Sequence, residues 1–283
     1  MRKFRSWWRH LGKSLVARVN LEVTRRLNGR SVILPVVEGR KAGIGGEHWM
    51  SGLLKRLLES EKGGFYDVGV NLGQTLAKVK SLEPGRSYVG FEPSPFCQYY
   101  VGRLVACNEW SDVTICPCAL FDRDTLLPMS GAATGHAAAT LIAELRPQKQ
   151  SATTLVPAFR FDSVAETMPP GRVTIVKIDV EGAEVEVVRS LSGLLIRDMP
   201  VITLEVLPLK GDENTFRASR NAELKSMLEG LGYVLHVIKK TDDDHFAGVE
   251  ADPDFGAHSD ARFKDYLAIP RHKLPALLDS LRA

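Results

Sequence analysis

Apolar positions along this chain change period from segment to segment, and the changes mark its elements. Phe4, Trp7, Trp8, Leu11, Leu15 and Val19 recur at helical spacing, with Arg2, Arg5, Arg9 and Lys13 opposite them. A second stripe, Trp49, Leu53, Leu54, Leu57 and Leu58, predicts a helix over 48–61. From residue 65 onward, short β-rich runs alternate with helical stretches. Strands are predicted at 65–70, 87–92, 112–120, 173–180, 201–206, 233–238 and 265–270. Helices are predicted near 74–82, 95–107, 183–195 and 220–229, with a short one at FDSVAET. Residues 121–160 read as irregular, with short strands around Leu126 and Leu155, and a long polar loop joins 238 to 265. This alternation predicts an α/β fold, a parallel sheet with helices on both faces. No internal repeat or low-complexity tract interrupts it.

One run departs from the pattern. In IVKIDVEGAE (175–184) the β-branched residues say buried strand, yet Lys177, Asp179 and Glu181 alternate and so share one face. A central parallel strand is buried on both faces, where charge is costly unless paired or used.

Composition adds bounds. At 283 residues, 44% hydrophobic and 25% charged, the chain suits one large α/β domain or two small ones. No apolar run reaches bilayer length, and the basic start lacks the apolar core and cleavage site of a secretory signal. The first 30 residues hold nine Lys/Arg against Glu22, a net +8, while the whole chain is +3. The body is therefore mildly acidic and carries no nucleic-acid footprint. Residues 1–47 read as a basic amphipathic arm ahead of a domain over 48–283. The arm can lie on an anionic membrane surface through residues 1–30, pack on protein, or act as an organelle transit segment. The expected place is the cytoplasm, at the inner face of the membrane if the arm binds lipid. Cys97, Cys107, Cys116 and Cys118 fit neither a zinc knuckle nor a CxxC pair and read as small buried thiols.

Ligands of open α/β sheets bind beyond the carboxyl ends of the strands. Two loops there carry chemistry. Asp67-Val-Gly69-Val-Asn71-Leu-Gly73 follows the first strand, and Glu92-Pro-Ser-Pro ends the next. An acid at the second place can accept both hydroxyls of a ribose. A dinucleotide fingerprint is G-x-G-x-x-G, whereas here Asn71 replaces the second glycine and Asp67 precedes the turn. Such an acid repels a diphosphate and suits a ligand bearing an ammonium and a sulfonium.

DVGVNLGQT, GFEPSP, Asn108, CPCALFD, IVKIDVEGAEVEVVRSL, ITLEV, LEGLGY and DYLAIP occur in the order of FkbM-type methyltransferases, and over roughly residues 60–270 the chain resembles that family. The resemblance implies a class I methyltransferase (Rossmann-like) fold, a seven-stranded sheet with helices on both faces and the last strand antiparallel. It implies S-adenosylmethionine as donor and a hydroxyl of a sugar, glycolipid or natural product as acceptor. By motif, Asp67, Gly69, Asn71 and Gly73 would surround the methionine part and Glu92 would hold the ribose. Ala119 and Asp122 would lie near the adenine. Asn108 fits a family position or a helix C-cap equally well. Asp179 and Glu181 would emerge beside the methyl group, joined by Glu205. The expected roles are Glu181 as general base, with Asp179 and Glu205 holding Mg²⁺ or the acceptor; Lys177 would pair with one of the acids. Related sugar methyltransferases carry Asp-x-Asp at this strand end, and Glu181 departs from that pattern.

Three other readings stay open. Asp179, Glu181 and Glu205 can be a buried ion network that fixes the sheet. The fold can belong to a nicotinamide-dependent oxidoreductase, against which Asp67 and the missing glycine argue. It can also serve a non-catalytic nucleoside-binding or membrane-adaptor protein. Glu184 and Glu186 open a helix, where acids suit the dipole. His136, His236 and the run Asp242-Asp243-Asp244-His245 read as structural or solvated positions.

Overall fold

The computed structural model describes residues 21–130, 142, 153–209, 215–252, 254–257 and 260–282. The predicted helix at 4–19 and His136 lie outside them.

Strands β1 (Leu21–Leu27) and β2 (Arg30–Val36) form an antiparallel hairpin. Its turn residues Asn28 and Gly29 have φ of 50° and 81°, the left-handed pair that Asn-Gly favours and that matches the twist of the strands. Val32 and Leu34 of β2 are buried, as are Ala42 and Ile44 after it. Residues 21–47, expected as part of the arm, thus pack into the body of the domain. The reason is the alternation of VILPV, which gives β2 an apolar face. Next come α1 (His48–Ser60), β3 (Gly64–Val68), α2 (Gln74–Leu82), β4 (Tyr88–Phe91), α3 (Pro95–Cys107) and β5 (Val113–Cys116). The apolar stripes of α1, α2 and α3 meet the hairpin in one cluster centred on Leu53, Leu57, Leu76, Tyr100 and Leu104. Asn108, at the C-cap of α3, donates to Leu104 O at 2.8 Å and to Ile33 O at 2.7 Å, and accepts from Ile33 N at 2.8 Å. It caps the helix and staples β2 to it, so its role is structural.

The expected single strand over 112–120 splits at Pro117, which has no N–H to donate. β5 stays in the main sheet, while β6 (Ala119–Leu120) joins β7 (Thr125–Ser130) and β8 (Thr153–Phe159) in a three-stranded sheet, order β6-β8-β7. The short α4 (Phe161–Val164) then leads to β9 (Val173–Ile178), α5 (Glu184–Asp198), β10 (Val201–Glu205), α6 (Thr215–Gly230), β11 (Tyr233–Lys240), β12 (Phe246–Ala251), β13 (Asp265–Pro270) and α7 (Leu274–Leu281). The main sheet has eight strands in the order β12-β11-β13-β10-β9-β3-β4-β5, not seven. β13 is antiparallel to β10 and β11, as expected of the last strand. The extra strand is β12, which folds back on β11 where a long polar loop was expected. The Asp242–His245 run forms that hairpin's turn, and Asp244 Oδ2 accepts from His48 N at 3.0 Å, capping α1. At the other end of α1, Glu61 Oε2 pairs with Lys273 Nζ at 2.7 Å. Arg86 donates to Leu58 O, Glu61 O and Gly63 O, satisfying carbonyls that a helix end leaves open.

Among the described residues no helix is long and apolar enough to cross a membrane. Cys97, Cys116 and Cys118 are buried free thiols, and burial pushes them up to about 12, 11 and 12. His236 is buried within β11, where burial lowers its pKa, in line with a structural role.

Candidate active site

The carboxyl ends of β3, β4, β9 and β10 converge. β3 pairs with β9 in parallel, with Asp67 opposite Lys177. Beyond the ladder, Asp179 N donates to Val68 O at 3.0 Å and Gly69 N to Phe91 O at 3.0 Å. A Cβ on Gly69 would lie 1.9 Å from Asp179 O, and its φ is 90°. Only glycine lets the two strand ends approach this closely. Asn71 follows at φ 52°, and Gly73 at φ 79° is the N-cap of α2.

Glu92 extends from β4 and is 4% exposed. Its Oε2 accepts from Asn71 N at 2.7 Å and its Oε1 from Ser94 N at 2.8 Å. Burial raises its carboxyl to about 7, against those two bonds. Each oxygen keeps a further lone pair for a ligand.

Lys177 lies between two acids, 3.3 Å from Asp67 Oδ1 and 3.2 Å from Asp179 Oδ2. Burial pulls the lysine down, but Asp179 and Asp67 outweigh it and hold the group above its ordinary value. Asp67 is fully buried and also accepts from Tyr88 Oη. Burial pushes its carboxyl up; the two donors are used in full only by the ionised form. Asp67 therefore anchors Lys177, and Lys177 in turn holds Asp179.

Glu181 and Gly182 turn the chain out of β9 with φ of 55° and 113°. A left-handed non-glycine residue costs roughly 1–2 kcal/mol, which surrounding bonds must offset. Gly182 N donates to Glu184 Oε1 at 2.9 Å, and Arg220 of α6 donates to Gly182 O at 2.9 Å and pairs with Glu186. Glu184 and Glu186, read from sequence as dipole partners only, thus clamp the turn that presents Glu181. Burial raises Glu184 to about 7.

Glu205 ends β10, and Lys264 Nζ donates to its Oε1 at 2.8 Å. Burial and then Asp179 raise its carboxyl to about 7, while Lys264 works against them.

These groups surround a cavity of about 280 Å³. Of the residues expected at the site, Gly69, Asn71, Glu92, Ala119, Asp179, Glu181 and Glu205 line it. Asp67, Gly73 and Asp122 do not. Asp67 lies buried behind Lys177, Gly73 packs against Leu104, and Asp122 pairs with Arg189 at 3.5 Å outside the wall. Glu47 and Lys264 line the cavity without having been singled out in the sequence. Both come from irregular segments; Glu47 lies far from the motifs, and Lys264 immediately precedes DYLAIP, the one signal that could have drawn attention to it. Glu47, Glu92, Asp179, Glu181 and Glu205 stand there against Lys177 and Lys264, with the buried Lys78 pairing Glu47 at 3.4 Å, so the wall carries a small excess of acid. The expectation of Mg²⁺ finds no support. Among the described residues no group of three or more His, Cys, Asp or Glu could hold a metal. Lys177 and Lys264 already neutralise Asp179 and Glu205, the two expected ligands.

The methyltransferase FkbM domain matches residues 67–235, more than half of the chain. No curated protein sequence matches significantly. Among solved structures, the chain is similar to methyltransferase FkbM from Methylobacillus flagellatus KT, at 12% identity and a TM-score of 0.47 over 72% of this chain and 43% of that one. The chain thus spans less than half of that protein's length. It is also similar to Aeropyrum pernix fibrillarin in complex with natively bound S-adenosyl-L-methionine, at 14% identity and a TM-score of 0.44, over 89% of this chain and 100% of that one. Precorrin-6y C5,15-methyltransferase from Geobacter metallireducens GS-15 follows at 13% identity and 0.39, over 77% and 83%. With the domain match spanning the Gly69 loop, Glu92 and the KIDVEGAE strand, this chain belongs to the FkbM methyltransferase family.

Proposed function

We propose that the chain is an S-adenosylmethionine-dependent O-methyltransferase acting on a hydroxyl of a sugar, glycolipid or natural product. The acid excess of the cavity carries this reading, because it suits a ligand with an ammonium and a sulfonium and disfavours a dinucleotide. Glu92, anchored by two backbone amides with lone pairs to spare, would hold the ribose. Gly69 and Asn71 would border the methionine part, and Ala119 the base. When bound, the cofactor supplies an electrophilic methyl group.

The chain's own residues would align the acceptor and remove its proton. We assign the proton to Glu205, with Glu181, the base expected from the sequence, as the alternative. The Glu205 carboxyl is raised to about 7, which brings it nearer to a useful base, and Lys264 bonds only one of its oxygens, Oε1. Asp179, held by Lys177, and Glu181 would bind further acceptor hydroxyls. The basic helix expected at residues 4–19 is proposed to bring the enzyme to an anionic membrane surface. Deleting residues 1–20 should abolish binding to anionic vesicles while cofactor affinity stays intact.

Calorimetric titration with S-adenosylhomocysteine and with NADH tests the cofactor. Saturable binding of the first alone, lost in Glu92→Ala, is expected. Binding of NADH, or of neither, would overturn the proposal.

A further inference from the structure

Glu47 faces the acidic cavity, but its neighbours Gly46 and His48 line a second one of about 660 Å³. This cavity lies between the β1–β2 hairpin, the loop 41–46 and α1. Its charge is opposite. Arg25, Arg26, Lys41, Lys55 and Arg56 line it together with His48 and His245, and no carboxylate of a described residue does. The bonds of its two best-held arginines go to neutral groups: Arg25 to Thr24 O at 3.2 Å, Arg56 to Gly52 O at 3.1 Å and over the Phe246 ring at 5.1 Å. Arg25 and Arg26 alternate in direction along β1, so four permanent cations share this concavity and repel one another there.

The loop supplies a second observation. Gly43, Gly45 and Gly46 line the cavity within a stretch of four residues. A Cβ on any of them would meet nothing within 4 Å, and none has a positive φ. Neither packing nor backbone conformation calls for glycine here. Close approach of a ligand to the backbone does, and the exposed amides of such a loop complement oxyanions.

We propose that this second cavity binds a phosphate-bearing group, carried by a soluble molecule or by an anionic lipid. A diphosphate offers enough charge and enough acceptor oxygens to engage several of these side chains with charge-assisted hydrogen bonds. The site is separate from the methyltransferase reading and stands if that reading fails.

The test uses the full chain. Inorganic pyrophosphate is titrated calorimetrically into the wild type, into Lys41→Gln/Lys55→Gln, and into Arg271→Gln/Arg282→Gln, which removes equal charge outside the cavity. All cavity substitutions are at exposed positions, and thermal melting confirms that each variant folds. Saturable binding, weakened about tenfold or more only in the cavity variant, is expected. Sedimentation with phosphatidylglycerol vesicles and with phosphatidylcholine vesicles separates the sources. Residues 1–20 contribute equally in all variants, so weaker phosphatidylglycerol binding in the cavity variant than in the Arg271→Gln/Arg282→Gln control assigns the group to lipid; equal vesicle binding in the two with lost pyrophosphate binding assigns it to a soluble ligand. No saturable pyrophosphate binding, or equal weakening in both variants, overturns the proposal.

Discussion

Glu205 is set between opposed influences: burial and Asp179 raise its carboxyl to about 7, and Lys264 draws it back. As a base it must be ionised, so the rate should climb as pH rises through about 7. Glu205→Gln should lower kcat about 10²–10⁴-fold and flatten that profile, while S-adenosylhomocysteine still binds. A larger loss in Glu181→Gln would return the base role to Glu181. Asp67 makes a different prediction. Removing its carboxylate in Asp67→Ala strands Lys177 and Tyr88 Oη in the core, and urea unfolding should report a loss of roughly 3–5 kcal/mol. The alternation of Lys177, Asp179 and Glu181 in the sequence foretold a paired lysine. It could not foretell that Asp67, expected at the ligand, would be the buried partner, because that depends on the register between strands 110 residues apart.

Helices α1, α2 and α3 and the parallel strands follow from periodicity, since each has one face or two to bury. The β1–β2 hairpin was masked by the charge count, although Asn28-Gly29 between alternating runs is a strong hairpin signal. β12 was missed because its strand follows a run of acids that reads as solvated. Ala119 and Glu205 are at the site because strand ends put them there; Asp122 lies one turn too far and meets Arg189. At this scale Asn108 is the test. Two of its three bonds join α3 to β2 and the third caps α3, so Asn108→Ala should cost about 2–3 kcal/mol in chemical denaturation and leave cofactor binding unchanged.

Over the whole molecule, Glu92, Glu184 and Glu205 are raised to about 7 from an ordinary 4.5. Between those values the native state holds more protons than the unfolded chain, so stability falls as pH rises through this window. His236, lowered by burial, opposes the trend, and Asp198, held below the ordinary range, titrates beneath it. The ligand-free protein should melt a few degrees lower at about pH 7.5 than at about pH 5, as calorimetry would show. The caps of α1 have a consequence in time. Asp244 holds its start and Lys273 its end, so this early helix waits for the last part of the chain. During synthesis its two ends stay unpaired until those residues emerge, although α2 and α3 cover its stripe of Leu53, Leu54 and Leu57 earlier. A chain cut short before residue 244 lacks both end bonds, so α1 should fray at its termini and limited proteolysis should cut there first.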